Sequence, residues 1–193
     1  MKTITKSLDL NRLFHLVKES DLFWIFSFSI LTVVSAQISI PIKPVPITLQ
    51  TMIVLLAGAF LGAKNGAYSQ LLYLFLGAIG LPVFAHTADG TYGFLRLFGP
   101  TGGYLLAFPI AAFLVGYFIE RSKKYFTVVL SMFAAEILVI FIGTFYLYTA
   151  YFHNLNEAVV AGAAIFSVWM VIKVFAAATI YFAVSKKQSR RIQ

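Results

Sequence analysis

Six long hydrophobic runs occupy most of this 193-residue chain, at residues 21–40, 47–63, 65–85, 102–119, 124–151 and 156–185. A helix needs about 20 apolar residues to cross a bilayer, so runs of this length constrain the fold strongly. The last two runs are longer, and we expect those helices to tilt or to project. Hydrophobic residues make up 60% of the chain and charged residues 11%, against about 45–50% and about 25% in soluble domains. The predicted fold is an all-α integral membrane protein, a six-transmembrane-helix bundle.

The basic residues predict the orientation of this bundle. With six crossings, twelve of the 15 Lys and Arg residues fall on one side, and the opposite side holds only Lys43 and Arg96. Because basic residues concentrate on the cytoplasmic side, both termini are predicted to be cytoplasmic. The chain then divides into an amphipathic N-terminal segment (1–20), a six-helix transmembrane domain (21–185) and a basic cytoplasmic tail (186–193).

The first twenty residues carry an apolar face at helical spacing, formed by Leu8, Leu10, Leu13, Phe14 and Val17. This pattern predicts an amphipathic helix that lies on the inner membrane surface. A helix that docks onto a partner protein would show the same pattern, so both interpretations stay open.

Two of the predicted outer links, the first and the third along the chain, hold most of the turn-forming residues. Residues 41–46 contain three prolines, which favours a stiff, extended segment. The sharp turn at residues 99–104 includes Pro100, Thr101 and Gly102, and its glycines permit positive φ values. Irregular backbone near a bilayer survives only beside protein or a water-filled cavity, so this turn indicates a site. We expect the two links to roof an outward-facing cavity, although they could simply join helices.

Small residues recur four positions apart in the second, third and fourth runs, at Gly58, Gly62 and Gly66 and again at Ala112 and Gly116. Such pairs let helix backbones approach closely in lipid. They predict close packing inside the bundle, with docking onto another membrane protein as the alternative.

Two ionisable residues fall deep inside hydrophobic runs, and charges at that depth usually face a cavity or a partner. Counted along their helices, Glu136 and Lys173 both lie about 18 Å from the inner end. They could therefore form an ion pair between neighbouring helices. Alternatively, Lys173 lines a cavity and receives a substrate carboxylate, with Gln50 and Tyr73 adding polar groups to the lining.

Sequence motifs for catalysis, nucleotide binding and metal binding are missing. There is no Walker A or GxSxG motif, the three histidines are far apart in sequence, and there is no cysteine. We therefore expect no enzyme, no metal site and no cofactor. The net charge of +8 follows the predicted membrane orientation and does not indicate a nucleic-acid partner. Transport of a solute is the function that these missing motifs leave open.

Three motifs, at residues 44–50, 72–84 and 99–104, resemble the BioY family in order and in spacing. BioY proteins are biotin-binding substrate components (S components) of energy-coupling-factor (ECF) transporters. The resemblance implies a six-helix bundle in a bacterial plasma membrane, with an outward biotin pocket capped by loops. It also implies ATP-driven uptake with a transmembrane coupling protein and two cytoplasmic ATPase subunits as partners. The alternative function is a self-sufficient secondary transporter for a small organic solute.

The resemblance also suggests roles for individual residues. Lys173 or Arg96 would bind the biotin carboxylate, Gln50 and Tyr73 the polar head, and Trp169 or Phe84 the apolar body. Thr101 and Gly102 complete the expected binding site. One position departs from the family, because Met170 stands where helix six usually carries an acidic residue. Glu136 could supply the missing carboxylate from the adjacent helix.

Overall fold

The computed structural model describes residues 20–86 and 93–191, so the predicted amphipathic segment lies outside the described residues, except for Ser20. The elements, in chain order, are α1 (Asp21–Gln37), β1 (Ser39–Ile40), β2 (Ile47–Thr48), α2 (Gln50–Ala78), a 3-10 segment (Gly93–Phe98), α3 (Gly102–Arg121), α4 (Tyr125–Leu147), α5 (Leu155–Val159) and α6 (Ile165–Arg191). Single π-helical turns at Tyr148–Phe152 and Val160–Ala164 follow α4 and α5. The all-α prediction is confirmed, apart from the two short strands. The predicted basic tail begins within α6.

Three helical stretches of the described chain have the length and composition to cross a membrane. They are Gly102–Arg121, Tyr125–Phe152 and Leu155–Lys187. The first has 20 residues and spans about 30 Å, the thickness of the hydrocarbon core. Helix α1 is also apolar but has only 17 residues.

Helix α2 is a helical hairpin with two arms, residues 50–61 and 63–78. Gly62 lies between the arms with φ 80° and ψ −178°, far from helical values. The Gln50 and Tyr73 side chains are hydrogen bonded, although 23 residues of straight helix would separate them by about 34 Å. The reversal falls at Gly62 and not at the predicted link near Lys64, because glycine adopts this positive φ without strain.

Small residues allow the hairpin to pack tightly on itself and on α3. A Cβ atom at Gly58 would lie 2.2 Å from the Ala112 carbonyl oxygen, and one at Gly116 would lie 2.2 Å from the Ala63 amide nitrogen. A Cβ atom at Gly66 would lie 2.9 Å from the Gly58 Cα. The prediction that these residues serve packing inside the bundle is confirmed.

The proline-rich first link folds into a two-stranded antiparallel ribbon. Ser39 pairs with Thr48 and Ile40 with Ile47, and the Lys43–Pro44 peptide bond between the strands is cis. The prediction of an extended segment was therefore wrong, since the chain reverses here. Because of this pairing, the second helix begins only at Gln50. Pro46 therefore lies before a strand and not in the first helical turn. Val45 and Ile47 are buried in the bundle core.

Helix α3 lies at the centre of the bundle and packs against α2 and α4. Ala107, Ala111, Ala112 and Val115 on α3 are fully buried, which small side chains permit when helices approach closely. Helix α6 packs against α2 and α4. Its buried residues are Phe166, Lys173, Val174, Ala177, Ala178 and Tyr181. This packing places Lys173 of α6 in the interior, beside the hairpin and α4.

Candidate binding site

A cavity lies between the first and third links and helices α2, α3, α4 and α6. The empty space between these elements is about 580 Å³, with the open mouth included. Apolar walls come from Val45, Pro46, Phe84, Leu105, Phe108 and Phe166. Polar groups come from Gln50, Thr51, Arg96, Thr101, Glu136 and Lys173. Both links contribute walls to this cavity, as the sequence predicted.

An ion pair lies in the wall of the cavity. Lys173 Nζ on α6 is 3.5 Å from Glu136 Oε1 on α4, and it donates a hydrogen bond to Thr51 Oγ1 on α2. Lys173 is 5% exposed and Glu136 is 2% exposed, so neither charge is well hydrated. A buried charge is costly unless it is paired, and each residue supplies the counterion of the other. The predicted contact between these two residues is confirmed.

A hydrogen-bonded chain of side chains runs behind the wall at the start of α2. Thr48 Oγ1 donates to Gln50 Oε1 over 3.0 Å, and Gln50 Nε2 donates to the Tyr73 hydroxyl over 2.6 Å. The Tyr73 hydroxyl in turn donates to the Val83 carbonyl oxygen over 3.3 Å. Tyr73 is fully buried. These bonds fix the amide of Gln50 at the cavity surface and attach the third link to the hairpin.

The third link carries a buried arginine into the cavity wall. Arg96 is 2% exposed and donates from Nη2 to the Ala85 carbonyl oxygen. Phe84, the residue before Ala85, packs edge-on against the Tyr73 ring with centroids 5.4 Å apart. Its ring also fills the space over Gly77, where a Cβ atom would lie 2.0 Å from the ring. Together with the Val83 carbonyl on the Tyr73 hydroxyl, this contact holds the link to α2 at two successive residues, Val83 and Phe84.

The glycines of the turn before α3 are needed because neighbouring atoms approach them closely, and not because their φ angles are positive. None of Gly99, Gly102 and Gly103 has a positive φ, so that expectation was wrong. Instead, a Cβ atom at Gly102 would lie 1.9 Å from the Leu97 carbonyl oxygen, and one at Gly103 would lie 2.4 Å from Tyr146 Cβ. The close packing lets Thr101 reach the cavity at the first turn of α3.

Residues 7–190 match the model of the BioY family. This match covers nearly the whole chain. The chain belongs to the BioY family.

Two BioY relatives align over most of their length. The probable biotin transporter BioY of Pyrococcus horikoshii is 40% identical over 158 residues, which cover 81% of this chain and 91% of the relative. The biotin transporter BioY of Thermotoga maritima is 38% identical over 164 residues, covering 85% and 95%. Among solved structures, the S-component for biotin from an ECF-type ABC transporter matches with a TM-score of 0.78 and 29% identity, covering 88% of this chain and 92% of that one.

In this BioY chain, the cavity brings together most but not all of the predicted site residues. Six of them line the cavity, namely Gln50, Phe84, Arg96, Thr101, Glu136 and Lys173. Tyr73 lies behind Gln50, and Gly102 serves the turn. Trp169 lies outside the lining and is 36% exposed, because the buried stripe of α6 passes through Phe166 and Lys173 and leaves Trp169 at its edge.

Eleven lining residues were not predicted as site residues, among them Phe166, Tyr104 and Thr51. Phe166 lies seven residues before Lys173, a spacing that places both on one helix face, so the signal was present. Tyr104 ends the third motif, and its hydroxyl donates to the Gly162 carbonyl oxygen over 2.8 Å. Thr51 follows Gln50 and gave no separate signal. Within the described ranges, no three His, Cys, Asp or Glu side chains are close enough to hold a metal ion.

Proposed function

We propose that this chain binds biotin in the described cavity and is the substrate-binding S component of an ATP-driven ECF transporter. The observation that carries the proposal is the fold match to a solved S-component for biotin over 88% of the chain. The relatives named as biotin transporters align over at least 91% of their own length, so the whole functional unit is compared.

The chemistry of the cavity suits this ligand. Biotin joins an apolar thiophane ring and valeryl chain to a polar ureido group and a carboxylate. Good sites for such molecules are apolar with a few placed polar groups, and the cavity has this composition. The side chains of Phe84, Phe108 and Phe166 suit the ring and chain, and Thr101 and Gln50 supply neutral polar groups. Lys173 and Arg96 are the two cations in the described lining, and either charge suits the carboxylate.

We further propose six membrane crossings with both termini in the cytoplasm of a bacterial cell. The two arms of α2, of 12 and 16 residues, would form most of the second and third crossings, and the hairpin packs against α1 and α3. The distribution of basic residues supports this orientation. A transmembrane coupling protein and two cytoplasmic ATPase subunits would then drive transport from the inner side.

The test combines binding with uptake. Calorimetry on the purified chain should show saturable binding of biotin. Val139→Phe, which fills the cavity from α4, should abolish binding. Leu130→Phe, on the face of α4 that points away from the bundle, should not. Failure of the folded chain to bind biotin would overturn the proposal.

Uptake distinguishes the transporter classes. Vesicles that contain the chain together with an ECF coupling protein and its ATPases should accumulate labelled biotin only with ATP. Accumulation by the chain alone under an ion gradient would instead identify a secondary transporter.

A further inference from the structure

Tyr104 of α3 contacts both α4 and the π-helical turn that precedes α6. Its ring lies on Gly143 of α4, where a Cβ atom would be 2.3 Å from the ring. Its hydroxyl donates a hydrogen bond to the Gly162 carbonyl oxygen over 2.8 Å. The ring also packs against Phe166, the second residue of α6, with centroids 5.8 Å apart. Since Tyr104 is buried, this one side chain joins three elements inside the bundle.

The π-helical turn at Val160–Ala164 sets the rotation of α6 relative to α5. A π turn holds about one residue more than an α turn, and it occurs mostly as a single insertion in a helix. If these residues adopted α-helical geometry while α5 stayed in place, α6 would rotate by about 100° and advance by about 1.5 Å. Each residue of α6 would then take the place of the residue that follows it.

That rotation would remove two side chains from the cavity wall. Phe166 and Lys173 are seven residues apart on one helix face, and both line the cavity. After the rotation, Ile172, which is 53% exposed, would occupy the place of Lys173. The stretch Leu155–Lys187, which includes α6, is the least buried of the three long apolar stretches, so packing fixes its rotation least firmly. The shape of the cavity therefore depends on the π turn.

The contact between Tyr104 and the π turn requires a glycine at position 162. A Cβ atom there would lie 2.5 Å from the Tyr104 hydroxyl oxygen and 2.9 Å from Leu147 Cδ1. Gly162 is buried and lies outside the described lining of the cavity. A substitution at Gly162 therefore disturbs the hydrogen bond without removing a side chain from the cavity wall.

We propose that Tyr104 is a positioning residue for the binding site. Its hydrogen bond to Gly162 stabilises the π turn, and the π turn holds Phe166 and Lys173 in the wall of the cavity. This role rests on the proposed function where biotin binding is the readout, but the rotation of α6 can be measured without a ligand.

A double-mutant cycle tests this role by calorimetry with biotin on the full chain. Tyr104→Phe and Gly162→Ala should each weaken biotin binding by about fivefold or more, because each breaks the same hydrogen bond. The double variant should bind no more weakly than the weaker single variant, since the two changes act through one contact. Tyr148→Phe is the matched control, because Tyr148 lies in the other π turn, and it should leave the affinity unchanged.

Cross-linking measures the rotation of α6 directly, since the chain has no cysteine of its own. Phe133 of α4 and Phe175 of α6 pack edge-on with ring centroids 5.8 Å apart. Without ligand, a short bifunctional thiol reagent should join the two cysteines of Phe133→Cys/Phe175→Cys in the otherwise unchanged chain. When Tyr104→Phe is added, this yield should fall, and the yield of Phe133→Cys/Val174→Cys should rise.

Three results would overturn the proposal. Losses of affinity that add in the double variant would mean that the Tyr104 hydroxyl contacts biotin directly. Unchanged affinity, or unchanged cross-linking, would mean that α6 keeps its rotation without the hydrogen bond. If Tyr104→Phe does not fold, Gly162→Ala supplies the same affinity and cross-linking measurements. Absence of biotin binding by the unsubstituted chain would refute the proposed function and leave the cross-linking test of α6 intact.

Discussion

Gln50 Nε2 donates a hydrogen bond to the Tyr73 hydroxyl over 2.6 Å, although both residues belong to one helical stretch and lie 23 positions apart. The bond closes the hairpin of α2 at the end far from Gly62. It also sets the position of Gln50, whose side chain lines the cavity. Closure of the hairpin and construction of the cavity wall therefore depend on the same hydrogen bond.

We expect Tyr73→Phe to destabilise the protein by about 1–3 kcal/mol, because it leaves the buried Gln50 amide without its acceptor. Thermal unfolding in detergent measures the change. Tyr68→Phe is the matched control, because Tyr68 lies on the same arm and is 53% exposed. Equal unfolding temperatures for the two variants would show that the bond does not contribute to stability.

The turn of the hairpin gives a second prediction. Glu120 on α3 accepts a hydrogen bond at Oε1 from the Ala63 backbone N–H over 2.7 Å, at the N-terminus of the second arm. A carboxylate at this position satisfies a free N–H group and favours the helix dipole. Glu120→Ala should lower the free energy of unfolding by about 1 kcal/mol. Glu120→Gln keeps an acceptor and should lose less, and the reverse order would contradict this role.

The proposed orientation can be tested by labelling, since the chain has no cysteine of its own. Lys43 lies in the ribbon link and Lys123 between α3 and α4, and both are exposed. Lys43→Cys should react with a membrane-impermeant maleimide in intact cells, whereas Lys123→Cys should react only after permeabilisation. The opposite pattern would reverse the orientation.

The roof of the cavity is held by two tyrosines. Tyr146, near the end of α4, and Tyr151, in the π-helical turn that follows it, both donate hydrogen bonds to the Phe98 carbonyl oxygen, over 3.0 Å and 2.5 Å. The double variant Tyr146→Phe/Tyr151→Phe should raise the dissociation rate of biotin by about fivefold or more, because two bonds to the 3-10 segment are lost. Stopped-flow measurement would follow it, with Tyr125→Phe at the other end of α4 as the control. Unchanged rates would show that the segment moves independently of α4.

Hydrophobic length predicted the helices, and depth along α4 and α6 predicted the contact between Glu136 and Lys173. These predictions succeeded because helix geometry converts residue number directly into position. The ribbon at Ser39–Ile40 and Ile47–Thr48 could not be predicted in this way, since two-residue strands leave no periodic pattern. Three prolines indicated a stiff link but not its reversal.

Other features depend on tertiary contacts that no local pattern encodes. Gly102 and Gly103 are needed because Leu97 and Tyr146 approach them, not because of their own dihedral angles. Glu120 caps a helix that is distant in sequence, so local capping signals do not reveal it. Met170 is partly buried and packs against the core, so its departure from the family leaves α6 well packed but without an acidic side chain at this position.

The two charges of the Glu136–Lys173 pair are synthesised at different times. Translation produces α4 before α6, so Glu136 is synthesised before its basic partner, Lys173. Until α6 inserts, that acid must stay hydrated or remain sheltered by the insertion machinery. Insertion of α6 therefore supplies the counterion of Glu136. A nascent chain that stops after α4 would lack Lys173.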